Sequence, residues 1–184
     1  MKKLLLVAIV TFGLSNSVSA QSIDYGLKAG LNLANLNGAD DASNLTSFHV
    51  GGFAEIELSE KFSLQPELLY SRQGAKEQED DVKIKLDYLS IPIMAKYYVA
   101  EKFSLEFGPQ MGFLINDKIV FDDSDAPDVE TDGASFDLGL NIGVGLDVTS
   151  NLFTQLRYSY GITTVVESPD FKTSVFQISL GYKF

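Results

Sequence analysis

The chain of 184 residues carries 25 acids against 14 lysines and arginines, a formal charge of −11, with 45% hydrophobic residues and no cysteine. So acidic a balance argues against a nucleic-acid partner. Without cysteine there is neither a disulfide framework nor a thiol for lipid attachment, and the length suits one domain.

At the N-terminus Lys2 and Lys3 precede an apolar run from Leu4 to Leu14 that ends in Val18-Ser19-Ala20. That pattern predicts a cleaved secretory signal peptide over residues 1–20 and a mature domain over 21–184. The run has about half the roughly 20 residues a spanning helix needs. Two lysines and no acids leave with the signal, which takes the formal charge from −11 to −13.

From Gln21 onward the dominant period is two, the mark of strands with two different faces. Strands are predicted at about 24–36, 48–58, 62–73, 83–99, 103–116, 134–148, 152–163 and 173–184. The sixth is the clearest: Phe136, Leu138, Leu140, Ile142, Val144 and Leu146 alternate with Asp137, Gly139, Asn141, Gly143, Gly145 and Asp147. The period makes the fold all-β, and together with the turns and faces that follow it predicts an eight-stranded antiparallel up-and-down transmembrane β-barrel.

"SEKFSL" at 59–64 has a near copy, "AEKFSL", at 100–105, and Thr149-Ser150-Asn151 before Leu152-Phe153-Thr154 is a degenerate third. Each is a short turn. The alternate connections, about 37–47, 74–82, 117–133 and 164–172, are long and hold fifteen of the acids against three lysines. Short turns at one end and long loops at the other are the asymmetry of an outer-membrane barrel, with both termini in the periplasm.

Alternation alone does not separate a membrane barrel from a soluble barrel with an apolar cavity. Ten of the fifteen glycines lie on the polar face, against Gly52 on the apolar one, as a crowded eight-strand interior requires. Aromatic residues on the apolar face collect toward the strand ends. Phe62, Tyr97, Phe103, Tyr182 and Phe184 form a girdle at the short-turn end, and Phe48, Tyr70, Phe113, Phe136, Tyr158 and Tyr160 gather toward the loops. The last strand ends with Leu180, Tyr182 and Phe184 in register, resembling the C-terminal signal for barrel assembly. Lys28, Glu55, Glu67, Lys96, Glu106, Asp137 and Arg157 share the polar face, with Glu57, Asp147 and Lys183, so a paired polar network is expected in the lumen, where an unpaired charge is costly. Pro66, Pro92 and Pro109 fall within strands and each implies a bulge or a locally open bond.

The runs "LQPELLYSRQG" (64–74), "YLSIPIMAKYY" (88–98), "GPQMGFLI" (108–115), "YGLKAGLNLANLNG" (25–38) and the closing "SLGYKF" resemble the PorT-like outer-membrane β-barrel family. The resemblance covers essentially the whole mature chain, and its most specific parts place proline inside a strand. It implies an integral protein of the cell outer membrane, with no catalytic set and no cofactor. The namesake's link to protein secretion implies a surface or secretion-system partner, besides the barrel-assembly machinery during biogenesis.

The remaining chemistry is sparse. His49, the only histidine, faces inward near the loop end, where Ser71, Ser135 or Ser159 is a candidate nucleophile for a lipid-modifying hydrolase. The loop "DDSDAPDVETDG" (122–133) invites calcium but lacks EF-hand spacing, so no metal site is assigned. Arg72, Lys83 and Lys85 flank the second loop and are candidate contacts for lipopolysaccharide phosphates among the outer-membrane lipids. Eight strands enclose a lumen little wider than its own side chains, which leaves a narrow channel for ions or small solutes as the alternative to a non-enzymatic protein with acidic interaction loops.

Overall fold

The computed structural model describes residues 22–37, 42–77, 82–121, 136–163, 166–167 and 170–184. The predicted signal peptide and the acidic loop 122–133 lie outside them. The strands in chain order are β1 (Ile23–Asn37), β2 (Ala42–Ser59), β3 (Phe62–Glu77), β4 (Val82–Ala100), β5 (Phe103–Phe121), β6 (Phe136–Asp147), β7 (Leu152–Gly161), β8 (Val166–Glu167) and β9 (Asp170–Lys183). Each long strand pairs antiparallel with its neighbours, and β1 pairs with β9, so the sheet closes into an eight-stranded barrel. The two-residue β8 folds back on the start of β9, with Val166 opposite Phe171, and stands outside the closed ring.

Closure follows from period two and short turns. Each turn returns the chain beside its predecessor, and joining the first strand to the last leaves no long edge unpaired. The β6–β7 turn is held by the Thr149 hydroxyl, which accepts from the amides of Asn151 and Leu152 at 3.2 and 2.9 Å. Asn151 then ties down the last strand: its side-chain amide donates to the Lys183 carbonyl at 2.9 Å, and its own carbonyl accepts from the Lys183 amide at 2.7 Å.

Several strands exceed their sequence-predicted limits. β2 starts at Ala42 rather than 48, β3 runs to Glu77 rather than 73, and β5 runs to Phe121 rather than 116. Apolar alternation ends where lipid ends, but the backbone still needs hydrogen-bond partners and continues to pair. On the loop side β4 and β5 stay paired as far as Val82↔Phe121, and the described pairing of β6 with β7 runs to Gly139↔Gly161.

None of the three prolines shifts the register. Phe53↔Glu67 and Ile56↔Leu64 keep one register around Pro66, Pro66↔Ile93 and Leu69↔Ser90 around Pro92, and Pro92↔Gln110 and Ala95↔Phe107 around Pro109. The ladder opens locally, the second of the two outcomes expected, because a missing amide donor removes one bond without changing the strand's length. Shifts occur elsewhere, between Asn44 and His49 on β2 and between Asp87 and Tyr88 on β4. Gly74, opposite the first, has φ 129°, a conformation other residues rarely adopt.

The apolar face is outside. Leu27, Leu31, Val50, Leu68, Phe107, Ile142, Leu156, Ile178 and Leu180 are all exposed, and Ile142 reaches 62%. Inward positions take glycine where strands or rings crowd together. A Cβ on Gly108 would stand 2.0 Å from the Ile93 carbonyl, and one on Gly181 would stand 2.1 Å from the Phe153 ring. Outward Gly52 has nothing nearer than 3.6 Å.

Candidate functional site: a filled lumen and a charged rim

A carboxylate taken out of water needs cations and donors around it. Glu67, on β3 and pointing inward, receives the Arg157 fork at 2.9 and 2.8 Å and the Lys28 ammonium at 2.8 Å, with the Gln65 amide at 2.8 Å. Arg157 also reaches Glu106 at 3.4 Å, and Gln155 bridges Lys28 at 3.1 Å and Glu106 at 2.8 Å. Toward the short-turn end Lys96 lies 4.0 Å from Glu106 and 3.1 Å from Glu55. Glu55 also holds Lys183 at 2.9 Å and the Tyr98 hydroxyl at 2.6 Å, and Lys183 meets Asp147 at 3.9 Å. Four cations thus meet four carboxylates, so the centre of the lumen is neutral as well as filled.

Six of the seven residues assigned to the lumen network, Lys28, Glu55, Glu67, Lys96, Glu106 and Arg157, meet in this chain of contacts. Asp137 sits apart at the loop end, accepting from Thr163 at 2.6 Å and Thr173 at 3.1 Å. Glu57, read as inward, lines the mouth of the lumen at the short-turn end, where it is exposed and bonded to Ser22. The sequence reading missed Phe53 and Phe153, inward aromatics in edge contact at 5.2 Å. Lys96 and Lys183 lie over the Phe153 ring at 5.4 and 5.7 Å. The room for these rings at Gly26 and Gly181 was the available signal. Beyond them a polar recess of about 470 Å³, lined by Glu57, Ser59, Tyr98, Asp147 and Lys183, opens at the short-turn end.

Above the charged layer stands a hydrogen-bonded one. The Asn32 side-chain amide donates to the carbonyls of Phe48 and Arg72 at 3.2 and 2.7 Å, so its oxygen faces His49. His49 Nδ1 therefore donates to Asn32 Oδ1 at 2.7 Å, and Nε2 accepts from the Ser179 hydroxyl at 2.8 Å. The ring crosses β1 over Gly30, where a Cβ would lie 2.6 Å away. Of the serines considered as partners, Ser71 bonds Asn32 at 3.1 Å and Ser159 bonds Asn141; Ser135 lies outside the described residues. Ser179 was missed because it sits two strands away across β1, a neighbour that only barrel closure creates. Ala34, Leu45 and Val175, paired in one layer, cover this site on the loop side.

The girdle residues Phe62, Tyr97, Phe103, Tyr182 and Phe184 all lie on the exposed face, Leu180 with them, and Tyr182 contacts Phe184 at 6.0 Å between ring centres. At the loop end Phe48 and Tyr70 stand 5.8 Å apart, and Phe113 and Phe136 5.4 Å. Arg72 lies just beyond Tyr70. Its guanidinium grips Asp87 at 2.7 and 3.2 Å, touches the Tyr70 hydroxyl at 3.1 Å and lies 5.6 Å from the Phe48 ring centre. Among the described residues no group of three or more histidines, aspartates and glutamates is placed to hold a metal ion.

A closed antiparallel barrel of eight strands, apolar outside and polar within, is the architecture of a small outer-membrane protein. Residues 19–167 match the family model described as "Outer membrane protein beta-barrel domain", and the chain belongs to that family. The same fold is found in Ail of Yersinia pestis, solved in complex with the heparin analogue sucrose octasulfate: 16% identity, TM-score 0.54, covering 89% of this chain and 99% of that one. Neisserial surface protein A is similar as well, at 18% identity and TM-score 0.56, covering 90% and 100%. No curated protein sequence matches the chain.

Proposed function

We propose that this protein is a non-conducting, non-enzymatic outer-membrane barrel whose function resides in what it presents at its rim. In this reading the chain is exported by its first twenty residues, its termini lie in the periplasm, and its acidic loops face outward to engage ions or a protein partner. A role beside an envelope or secretion assembly, as the likeness to PorT-like barrels suggests, belongs to the same reading. The observation that carries it is the neutral network around Glu67 and Arg157, which leaves solutes no polar surface to exchange with. The mature chain reconstituted into liposomes is expected to give no swelling in isotonic arabinose, and swelling above that of empty liposomes would favour the channel instead.

A second reading, hydrolase, is favoured by one observation. Ser179, His49 and Asn32 form the order of nucleophile, base and orienting group, with the tautomer a base needs. Against it, Ser179 and His49 are 3% and 1% exposed beneath an apolar layer. Treatment with a fluorophosphonate probe is expected to leave Ser179 unlabelled in the folded protein, and labelling lost in His49→Ala would reverse that judgement.

A further inference from the structure

The repeated turns of the sequence do more than return the chain. The Tyr98 amide donates to the Lys61 carbonyl at 2.9 Å, which sets the turn Ser59-Glu60-Lys61 beside the turn Ala100-Glu101-Lys102 at the short-turn end. Glu60 and Glu101 hold the same place in the two copies, and both line the polar recess of about 470 Å³ at that mouth of the lumen. The third copy, Thr149-Ser150-Asn151, has no glutamate and takes no part in the lining.

Unlike the centre of the lumen, this recess is not balanced from within. Four carboxylates, Glu57, Glu60, Glu101 and Asp147, share it with two ammonium groups, Lys61 and Lys183, which leaves a formal charge of −2. Among the described residues Glu60 and Glu101 meet no cation, and Glu57 is held only by the Ser22 hydroxyl. Asp147 has Lys183 at 3.9 Å, an ammonium already on Glu55 at 2.9 Å. Ser63 is a second and independent sign of an occupant. It is 2% exposed, borders the recess and has no side-chain hydrogen bond among the described residues, whereas a buried hydroxyl is ordinarily paired.

We infer that the recess binds an aliphatic diammonium ion, a short alkyl chain with a primary ammonium at each end. Two positive charges match the deficit. A bare metal ion does not fit, because no three acidic groups among the described residues are placed to hold one. Charges separated along a chain suit carboxylates spread over two turns and the end of β6. Tyr98, Val99 and Ala100 supply an apolar stretch for the methylenes, and the Ser63 hydroxyl is an acceptor for one ammonium. Partly exposed ion pairs are individually weak and screened by salt, so the affinity is modest and salt-sensitive. The site lies at the end opposite the acidic loops and does not rest on the function proposed for them.

Isothermal titration calorimetry of the mature chain, refolded in neutral detergent micelles at low salt, tests this with cadaverine as the probe. A saturable isotherm is expected, with butylamine clearly weaker. Glu57→Gln combined with Asp147→Asn should keep the compact gel band of the folded barrel and weaken cadaverine binding about tenfold, as the loss of two partly exposed ion pairs implies. Ser63→Ala leaves every charge in place and should still weaken binding several-fold, which carries the test if the double variant does not fold. Asp137→Asn at the loop end should leave binding unchanged. Absence of saturable heat, equal binding of butylamine, or binding that withstands Ser63→Ala and the double variant would overturn the proposal. Tighter binding of acetyl-Lys-Lys-amide than of cadaverine would also overturn it, by assigning the recess to a lysine-rich peptide.

Discussion

Arg157 holds the interior together, because its guanidinium is shared by Glu67 and Glu106 and is itself about 1% exposed. Removing one partner of a buried ion pair leaves the other charge without compensation, at a cost of about 3–5 kcal/mol. Arg157→Ala is therefore expected to lose about that much in urea unfolding of the lipid-reconstituted barrel. The loss should shrink in Arg157→Ala combined with Glu67→Gln, which removes one stranded charge. Glycines give a sharper contrast. Gly108→Ala forces a methyl against the Ile93 carbonyl and should cost about 1–3 kcal/mol, whereas Gly52→Ala meets open space and should stay within about 0.5 kcal/mol. If both alanine variants unfold alike, the assignment of faces is wrong.

At the scale of the strand, what matters is which side meets lipid. Ile142 is exposed near the middle of β6, so Ile142→Arg should destabilise the barrel by about 2–4 kcal/mol in lipid. Moving the same charge to the exposed turn residue Ser150 should cost almost nothing, and equal costs would deny an apolar slab around the barrel. For β9, deletion of Phe184 is expected to lower the amount of barrel assembled in cells while in vitro refolding proceeds normally. Reduced refolding would make that residue structural rather than a recognition signal. These strands were readable from sequence because alternation in lipid is obligatory over the whole span, and β6 keeps it from Phe136 to Asp147 without a break. Their upper limits were not, since Lys76 and Lys118 lie in stretches that still pair in the ladder where lipid no longer imposes a pattern on the sequence. The polar composition of the interior was equally legible, but its partners were not. Glu67 and Arg157 are 90 positions apart, and only the barrel's closure and tilt decide that they meet. Inward phenylalanines such as Phe53 break the polar pattern, and only the neighbouring glycines hint at them.

The whole molecule combines a closed barrel whose central ion pairs balance with strands β4 and β5 that stay paired as far as Phe121 on the loop side. In the proposed function the body has no use for an open lumen, and the division of charge, paired at the centre of the barrel and mostly acidic in the loops, supports a role at the surface. Planar-bilayer recording tests this most directly. The mature protein is expected to add no steady conductance to the bilayer in 1 M salt, while the variant Glu67→Ala, Glu106→Ala, Arg157→Ala, which empties the centre of the lumen, should open discrete steps. Steady channels from the unaltered protein, undiminished or unchanged in the variant, would contradict the filled-lumen account.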